Sequence, residues 1–209
     1  MDGKPQDSFR TLQAIGKCKT SPEAFDELFK RHRHTVKLAI SLRMSNSLRA
    51  RFDESDVVQE TYAEAYRRFD DYVKRNPMPF HLWLRKTALE RLLMLRRKHV
   101  GAEQRSIARE HRLPDASTAQ LAREFVGREP TPSGIVDAAE RAEQVRAAIA
   151  KLSGADQEVL LMRNYEGLKY EEIASLLDIE VAAARKRYGR ALVRLQQFLI
   201  DGGMSGSQL

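Results

Sequence analysis

Five histidines, one cysteine and 29 carboxylates are the side chains from which this chain could assemble catalytic or metal chemistry. Their spacing assembles none. His32, His34, His81, His99 and His111 show no metal-ligand spacing with cysteine or paired carboxylates. His32 and His34, two residues apart on a helix, would point about 200° from one another. The single cysteine, Cys18, supplies neither an internal disulfide nor a cysteine-rich zinc site. No phosphate-cradling glycine loop or nucleophile elbow occurs. The expectation is a protein that is not an enzyme and carries no metal or cofactor.

The chemistry that remains is ionic recognition. Lysine and arginine number 36 against 29 aspartates and glutamates, a net charge of +7 on 209 residues, which favours a polyanionic partner. The excess is not evenly spread. Residues 53–71 carry seven acids against two bases (Arg67, Arg68); residues 85–99 carry six bases against one acid, Glu90; residues 181–197 carry five bases and no acid. Asp56, Gln59, Glu60 and Ala63 recur at i, i+3, i+4 and i+7, so on a helix they form one polar face opposite Val58, Tyr62, Ala65 and Phe69. Arg85, Arg91, Arg96 and Lys98 surround an apolar stripe of Phe80, Leu84, Ala88, Leu92 and Leu95. Arg185, Lys186, Gly189 and Arg190 share one face of a third helix, whose buried stripe is Ala184, Tyr188, Ala191 and Leu195.

The elements that must position these faces are helices. Glycine (11) and proline (7) are scarce and clustered, which points to an all-α chain of two small helical domains. Ser21-Pro22-Glu23 starts a first helix whose apolar positions run to Ile40. A second helix starts near Asp53 or Ser55 and is expected to end at about Asp71. The segment Tyr72 to Pro79 then reads as a loop, because residues preceding proline avoid the helical basin. A third helix runs from Phe80 to about His99. Between Gly101 and Ala138, Pro114, Pro130 and Pro132 break the pattern, and only stretches such as Ala119 to Phe125 look helical, so residues 101–137 are expected to be a flexible linker. Helices resume over Ala138 to Leu152 and from Ala155 behind the cap Ser153. Tyr170 to Leu177, a three-residue turn and Val181 to Leu199 make a helix-turn-helix, the longer helix suited to the major groove. The domains are then 1–100, the linker, and 138–200, with a polar tail over 201–209.

Ser55-Asp56-Val57-Val58-Gln59-Glu60-Thr61-Tyr62 resembles the D-x-V-Q-E-T-F signature of bacterial sigma factors, specifically the extracytoplasmic-function group of the sigma-70 family, which has only regions two and four. Phe80-His81-Leu82-Trp83-Leu84-Arg85-Lys86 is similar to the F-x-x-W-L opening of the promoter-melting helix in region two. Leu152 to Leu195 resembles region four, with Gly167-Leu168-Lys169-Tyr170-Glu171-Glu172-Ile173-Ala174 against the usual G-L-S-Y-E-E-I-A. The resemblance implies a specificity subunit that binds core RNA polymerase through its β′ clamp and β flap, directs it to promoter DNA and assists melting. It implies core-polymerase contacts at Asp56, Gln59, Glu60 and Ala63. Minus-ten contacts are implied from the loop Asp70 to Pro79 (Arg75, Asn76) and from Trp83, Arg85, Lys86, Glu90, Arg91, Arg96, Arg97 and Lys98. Minus-thirty-five contacts fall on Arg185, Lys186, Gly189 and Arg190. An anti-sigma factor is a common family partner.

The chain departs from the family pattern at four places. Glu90 stands where most members have asparagine, and Lys169 replaces a serine or threonine cap. Glu180 to Ala184 replaces the common S-x-G-T-V, and Gly189 lacks a side chain that often reaches DNA, so an altered minus-thirty-five readout is expected. The alternative reading is a stand-alone helix-turn-helix regulator, which would need a dimerisation or ligand-sensing domain where this chain has the clamp signature. No apolar run approaches the roughly 20 residues that span a bilayer, and the N-terminus has no apolar signal core, so no membrane insertion and a cytoplasmic location are expected.

Overall fold

The computed structural model describes residue 15 and residues 22–99, 113–126 and 135–204. The chain divides into two units, Met1–Val100 and Gly101–Leu209. Among the described residues there is no strand.

In the first unit α1 (Pro22–Ser41), a short α2 (Asn46–Arg49), α3 (Glu54–Arg67), α4 (Phe69–Arg75) and α5 (Phe80–His99) follow in order. Helices α1, α3 and α5 pack pairwise against one another. Their common core is aromatic. Phe25 of α1 meets Tyr62, Phe69 and Phe80 edge to face, at centroid distances of 5.5, 5.1 and 6.5 Å. Such arrangements align ring edges with ring faces and add to the burial itself. The apolar stripe of α5, Phe80, Leu84, Ala88, Leu92 and Leu95, is buried in this core as its spacing predicts.

Helix α3 begins where Asp53 caps it. Its Oδ1 accepts from the Ser55 amide at 2.6 Å, and Asp56 Oδ2 accepts in return from the Asp53 amide at 3.2 Å. The helix ends at Arg67, earlier than the apolar spacing predicts, because Arg68 leaves helical geometry (φ −95°, ψ 3°). Residues 72–75, expected in a loop, are helical within α4. Tyr72 is buried there, and its hydroxyl donates to the Met78 carbonyl at 3.1 Å. Burial pushes that phenol up to about 12, so it stays a donor. The proline restriction acts only on the residues just before Pro77 and Pro79, so the true loop is 76–79, entered through Asn76 in the left-handed region (φ 39°).

The second unit contains α6 (Asp115–Val126), α7 (Ile135–Lys151), α8 (Gly154–Leu160) closed by a wider turn over Leu161–Tyr165, α9 (Tyr170–Leu177) and α10 (Val181–Asp201). Helix α6 lies inside the stretch expected to be linker, and this corrects that expectation. It packs on α7 with Leu121 and Ala122 buried. Gln157 ties it down: its Oε1 accepts from the Leu113 amide at 2.8 Å, while its amide nitrogen donates to the carbonyls of Ile149 (2.9 Å) and Leu152 (3.3 Å). Pro114 immediately precedes the helix instead of breaking it, its carbonyl accepting from the Ser117 and Thr118 amides of the first turn. The rest of the expected linker, 101–112 and 127–134, lies outside the described residues.

Helix α10 closes through Gly203 at φ 90°, with the Met204 amide donating to Leu199 and the Gly203 amide to Ile200. Met204 is buried, so residues 201–204 cap the helix rather than form a free tail; 205–209 lie outside the described residues.

Candidate functional site

The face predicted on α3 is continuous and exposed: Asp56, Gln59, Glu60 and Ala63 all lie on the outside of the first unit, while Val57, Val58, Thr61 and Ala65 are buried behind them. Asp56 also closes the reciprocal cap of α3, so it has a structural duty that Gln59 and Glu60 do not share. The buried side of the helix is held by the Tyr62 hydroxyl, which donates to Asp26 of α1. That bond keeps the phenol protonated and pushes it up to about 12.

Helix α5 divides along its length. Trp83 is 5% exposed, with its ring centroid 4.5 Å from that of Tyr72 and 5.7 Å from that of Phe80. Arg85 is 3% exposed. The family resemblance implies DNA contacts for both, and both are instead buried in this unit. The first two turns of α5 are enclosed on nearly every side, Leu82 and Thr87 being buried as well, which a single apolar stripe does not reveal. Lys86, Arg97 and Lys98 are exposed and Arg96 is partly so. Arg75 and Asn76 are exposed beside them in sequence at the end of α4, with Arg75 Nε 2.9 Å from Asp71.

Glu90 and Arg91 are turned toward α3. Arg68 donates to Glu90 at 2.9 Å and Arg91 to Glu64 at 3.3 Å. Glu64 also accepts from Arg67, and that hydrogen bond, with the neighbouring guanidiniums of Arg91 and Arg68, holds its carboxyl below the ordinary carboxylate range. The acid that stands where the family has asparagine is therefore the partner of an arginine in this protein. Its charge is offset before any phosphate approaches.

In the second unit the motif is as the spacing predicts, α9 and α10 joined by Asp178, Ile179 and Glu180. The turn places Asp178 in the left-handed region (φ 53°), and the Ile179 amide donates to Ala174 at 3.1 Å. Lys169 has no acceptor with which to cap α9. Its own amide donates to Glu172 Oε2 at 2.8 Å, the reciprocal half of a capping box, which satisfies a different donor from the one a hydroxyl at this position would take. Ala184, Ala191 and Leu195 are buried as predicted; Tyr188 is only partly so, because its hydroxyl reaches Asn164 Oδ1 at 3.0 Å. Arg185, Lys186 and Arg190 are exposed. A β-carbon added at Gly189 would meet nothing within 4 Å, so that face of α10 is open. Arg194, one turn beyond, pairs with the buried Asp156 of α8 at 2.5 Å and holds α10 to the unit.

Residues 142–195, from within α7 through most of α10, match the family model of sigma-70, region 4. Over 201 residues the chain is 29% identical to the RNA polymerase sigma factor CnrH of Cupriavidus metallidurans, covering 93% of this chain and 96% of that one. Over nearly its whole length the chain is thus similar to extracytoplasmic-function sigma factors, and its second unit carries the sigma-70 region 4 match. It is also 28% identical over 176 residues to the RNA polymerase sigma-H factor of Pseudomonas aeruginosa (80% of this chain, 82% of that one). With the extracytoplasmic-function sigma-E factor of Escherichia coli it shares 27% over 177 residues (83% and 85%). Among solved structures, CnrH in complex with the cytosolic domain of CnrY shares the fold, with a TM-score of 0.53 at 23% identity over 93% of this chain and 97% of that one. These likenesses extend over both units, which disfavours the stand-alone regulator.

Sequence reasoning missed three residues of consequence. Gln157 gives no signal at all, since a buried glutamine looks like any surface one until its partners are known. Arg68 and Glu64 look like ordinary members of a charged helix. Only their pairing with α5 shows that they govern the charge of the predicted DNA face. Among the described residues no group of three or more histidines, cysteines or carboxylates could hold a metal, and no helix is long and apolar enough to cross a membrane.

Proposed function

We propose that this chain is a sigma factor that binds core RNA polymerase and directs it to promoters, and that it divides these two tasks by sign of charge. The acidic outer face of α3 (Asp56, Gln59, Glu60, Ala63) docks on the basic coiled-coil clamp of the polymerase β′ subunit. The exposed cations of α5 and α10 take promoter DNA, α10 in the major groove at the minus-thirty-five element. The observation that carries this reading is the segregation of exposed charge: Glu60 and Asp56 face outward on α3, while Arg185, Lys186 and Arg190 face outward on α10.

In the first unit, the loop 76–79 takes a base flipped from the non-template strand of the minus-ten element. Lys86, Arg96, Arg97 and Lys98 follow that strand's phosphates. A cationic groove with a base pocket favours single strand over duplex, and so assists melting. Arg91, already paired with Glu64, contributes less than its formal charge suggests. The second unit meets the β flap. CnrH was solved with the cytosolic domain of CnrY. By extension an anti-sigma factor restrains this chain, in the cytoplasm, where its polymerase partner resides.

Reconstituted transcription with purified core polymerase tests the division. Asp56→Arg combined with Glu60→Arg reduces both core binding and initiation. Core binding and initiation equal to wild type in that variant would remove the clamp assignment.

A further inference from the structure

Arg185 of α10 does not stand alone on its helix. Its guanidinium carbon lies over the ring of Tyr170, the first residue of α9, at 5.5 Å from the centroid. Glu171, the next residue of α9, places a carboxylate oxygen 3.7 Å from the same guanidinium. The Tyr170 ring is itself fixed. Arg163, from the wide turn after α8, sits over it at 4.8 Å and anchors its own guanidinium on the Leu168 carbonyl at 2.9 Å. Tyr188 meets the ring edge-on at 5.9 Å and is held through its hydroxyl by Asn164. Side chains of the wide turn and of α10 thus converge on one aromatic ring of α9, and a long, otherwise flexible arginine of α10 rests against it.

Two features of this arrangement point to orientation rather than stability. Arg185 and Glu171 are both well exposed, with side chains 62% and 61% accessible, so their ion pair adds little to folding. An arginine that reads guanine must present two N–H groups in one plane, and a guanidinium held against a ring loses less freedom when it does so. We propose that Tyr170, assisted by Glu171, is a positioning residue that presets Arg185 for base reading in the minus-thirty-five element. The inference rests on the reading of α10 as the promoter-reading helix, and makes Arg185 its base-specific member.

The test is selection of a DNA library, randomised across the upstream promoter element, by full-length protein assembled with core polymerase. Sequencing then gives the base preference at each position. Arg185→Ala erases the preference, about 5- to 150-fold in a good bidentate contact, at one or two positions. Tyr170→Leu lowers it several-fold at those same positions and leaves the others unchanged. Tyr170→Phe, which keeps the ring, restores it. Thermal melting of each variant reports folding independently. If Arg185→Ala leaves every position as in wild type, the reading of Arg185 as a base contact is wrong. If Arg185→Ala erases a preference that Tyr170→Leu leaves intact, or if Tyr170→Leu weakens all positions equally, the positioning role of Tyr170 is overturned.

Discussion

Asp56 and Glu60 occupy one exposed face of α3, yet the structure separates what their removal should do. Asp56 Oδ2 accepts from the Asp53 amide and so closes one half of the cap of α3. Losing a capping acceptor costs about 1 kcal/mol, which lowers the melting temperature of a unit of this size by about 4–8 °C. Glu60 lies one turn further on, exposed and outside the cap, so reversing its charge changes stability by no more than about 0.5 kcal/mol. Binding behaves differently. An exposed ion pair is worth about 0.2–1 kcal/mol, and reversal replaces attraction by repulsion, so Glu60→Arg should weaken core binding by about 0.5–2 kcal/mol, roughly 2- to 30-fold. Asp56→Asn keeps an acceptor for the cap and loses only the charge; it should bind core more weakly with its melting temperature unchanged. Asp56→Arg should lose both affinity and stability. Competition against labelled wild type for core polymerase, at low and high salt, measures the first quantity, and thermal denaturation the second. The affinity loss should shrink as salt screens the surface charges. Glu60→Arg binding core as tightly as wild type at low salt would refute the acidic-face docking, whatever Asp56 does.

Three further outcomes follow from the geometry. Gln157→Leu removes three hydrogen bonds and strands the buried Leu113 amide, so it should destabilise the second unit by about 2–4 kcal/mol and accelerate amide exchange across residues 113–126; exchange at wild-type rates would show that α6 is held by other contacts. Gly189→Ala should stabilise α10 by about 0.8–1 kcal/mol in chemical denaturation, because the added methyl meets open space and glycine is costly in a helix interior. The Glu64 carboxyl is held below its ordinary 4.5 by Arg67 first, then by the charges of Arg91 and Arg68. Its contribution is therefore fully present above that ordinary value and is lost as pH falls through the lowered one, so wild type should lose stability more steeply on acidification than Glu64→Gln, measured as unfolding midpoint against pH.

Much of this protein follows from local rules that the sequence carries openly. The Ser-Pro-Glu start of α1, the Asp53 cap of α3, the uninterrupted run of α5 and the three-residue turn before α10 depend on neighbours a few residues away, and their predicted boundaries agree with the structure. The sign of each helix's charge is likewise a property of composition alone. Tertiary structure decided what several of those residues are for. Trp83 and Arg85 share the α5 sequence pattern with Lys86, yet enclosure of the helix's first turns buries both, Trp83 against Tyr72 from another helix. Glu90 reads as the one acid of a basic helix until Arg68, 22 residues away, is found beside it. Pro114 reads as a breaker, yet it opens a helix that Gln157 anchors from a different element. Periodicity and capping are interactions along the chain and can be read along it. Burial, ion pairing and docking are interactions across the chain, and they exist only once the fold has chosen which distant residues meet.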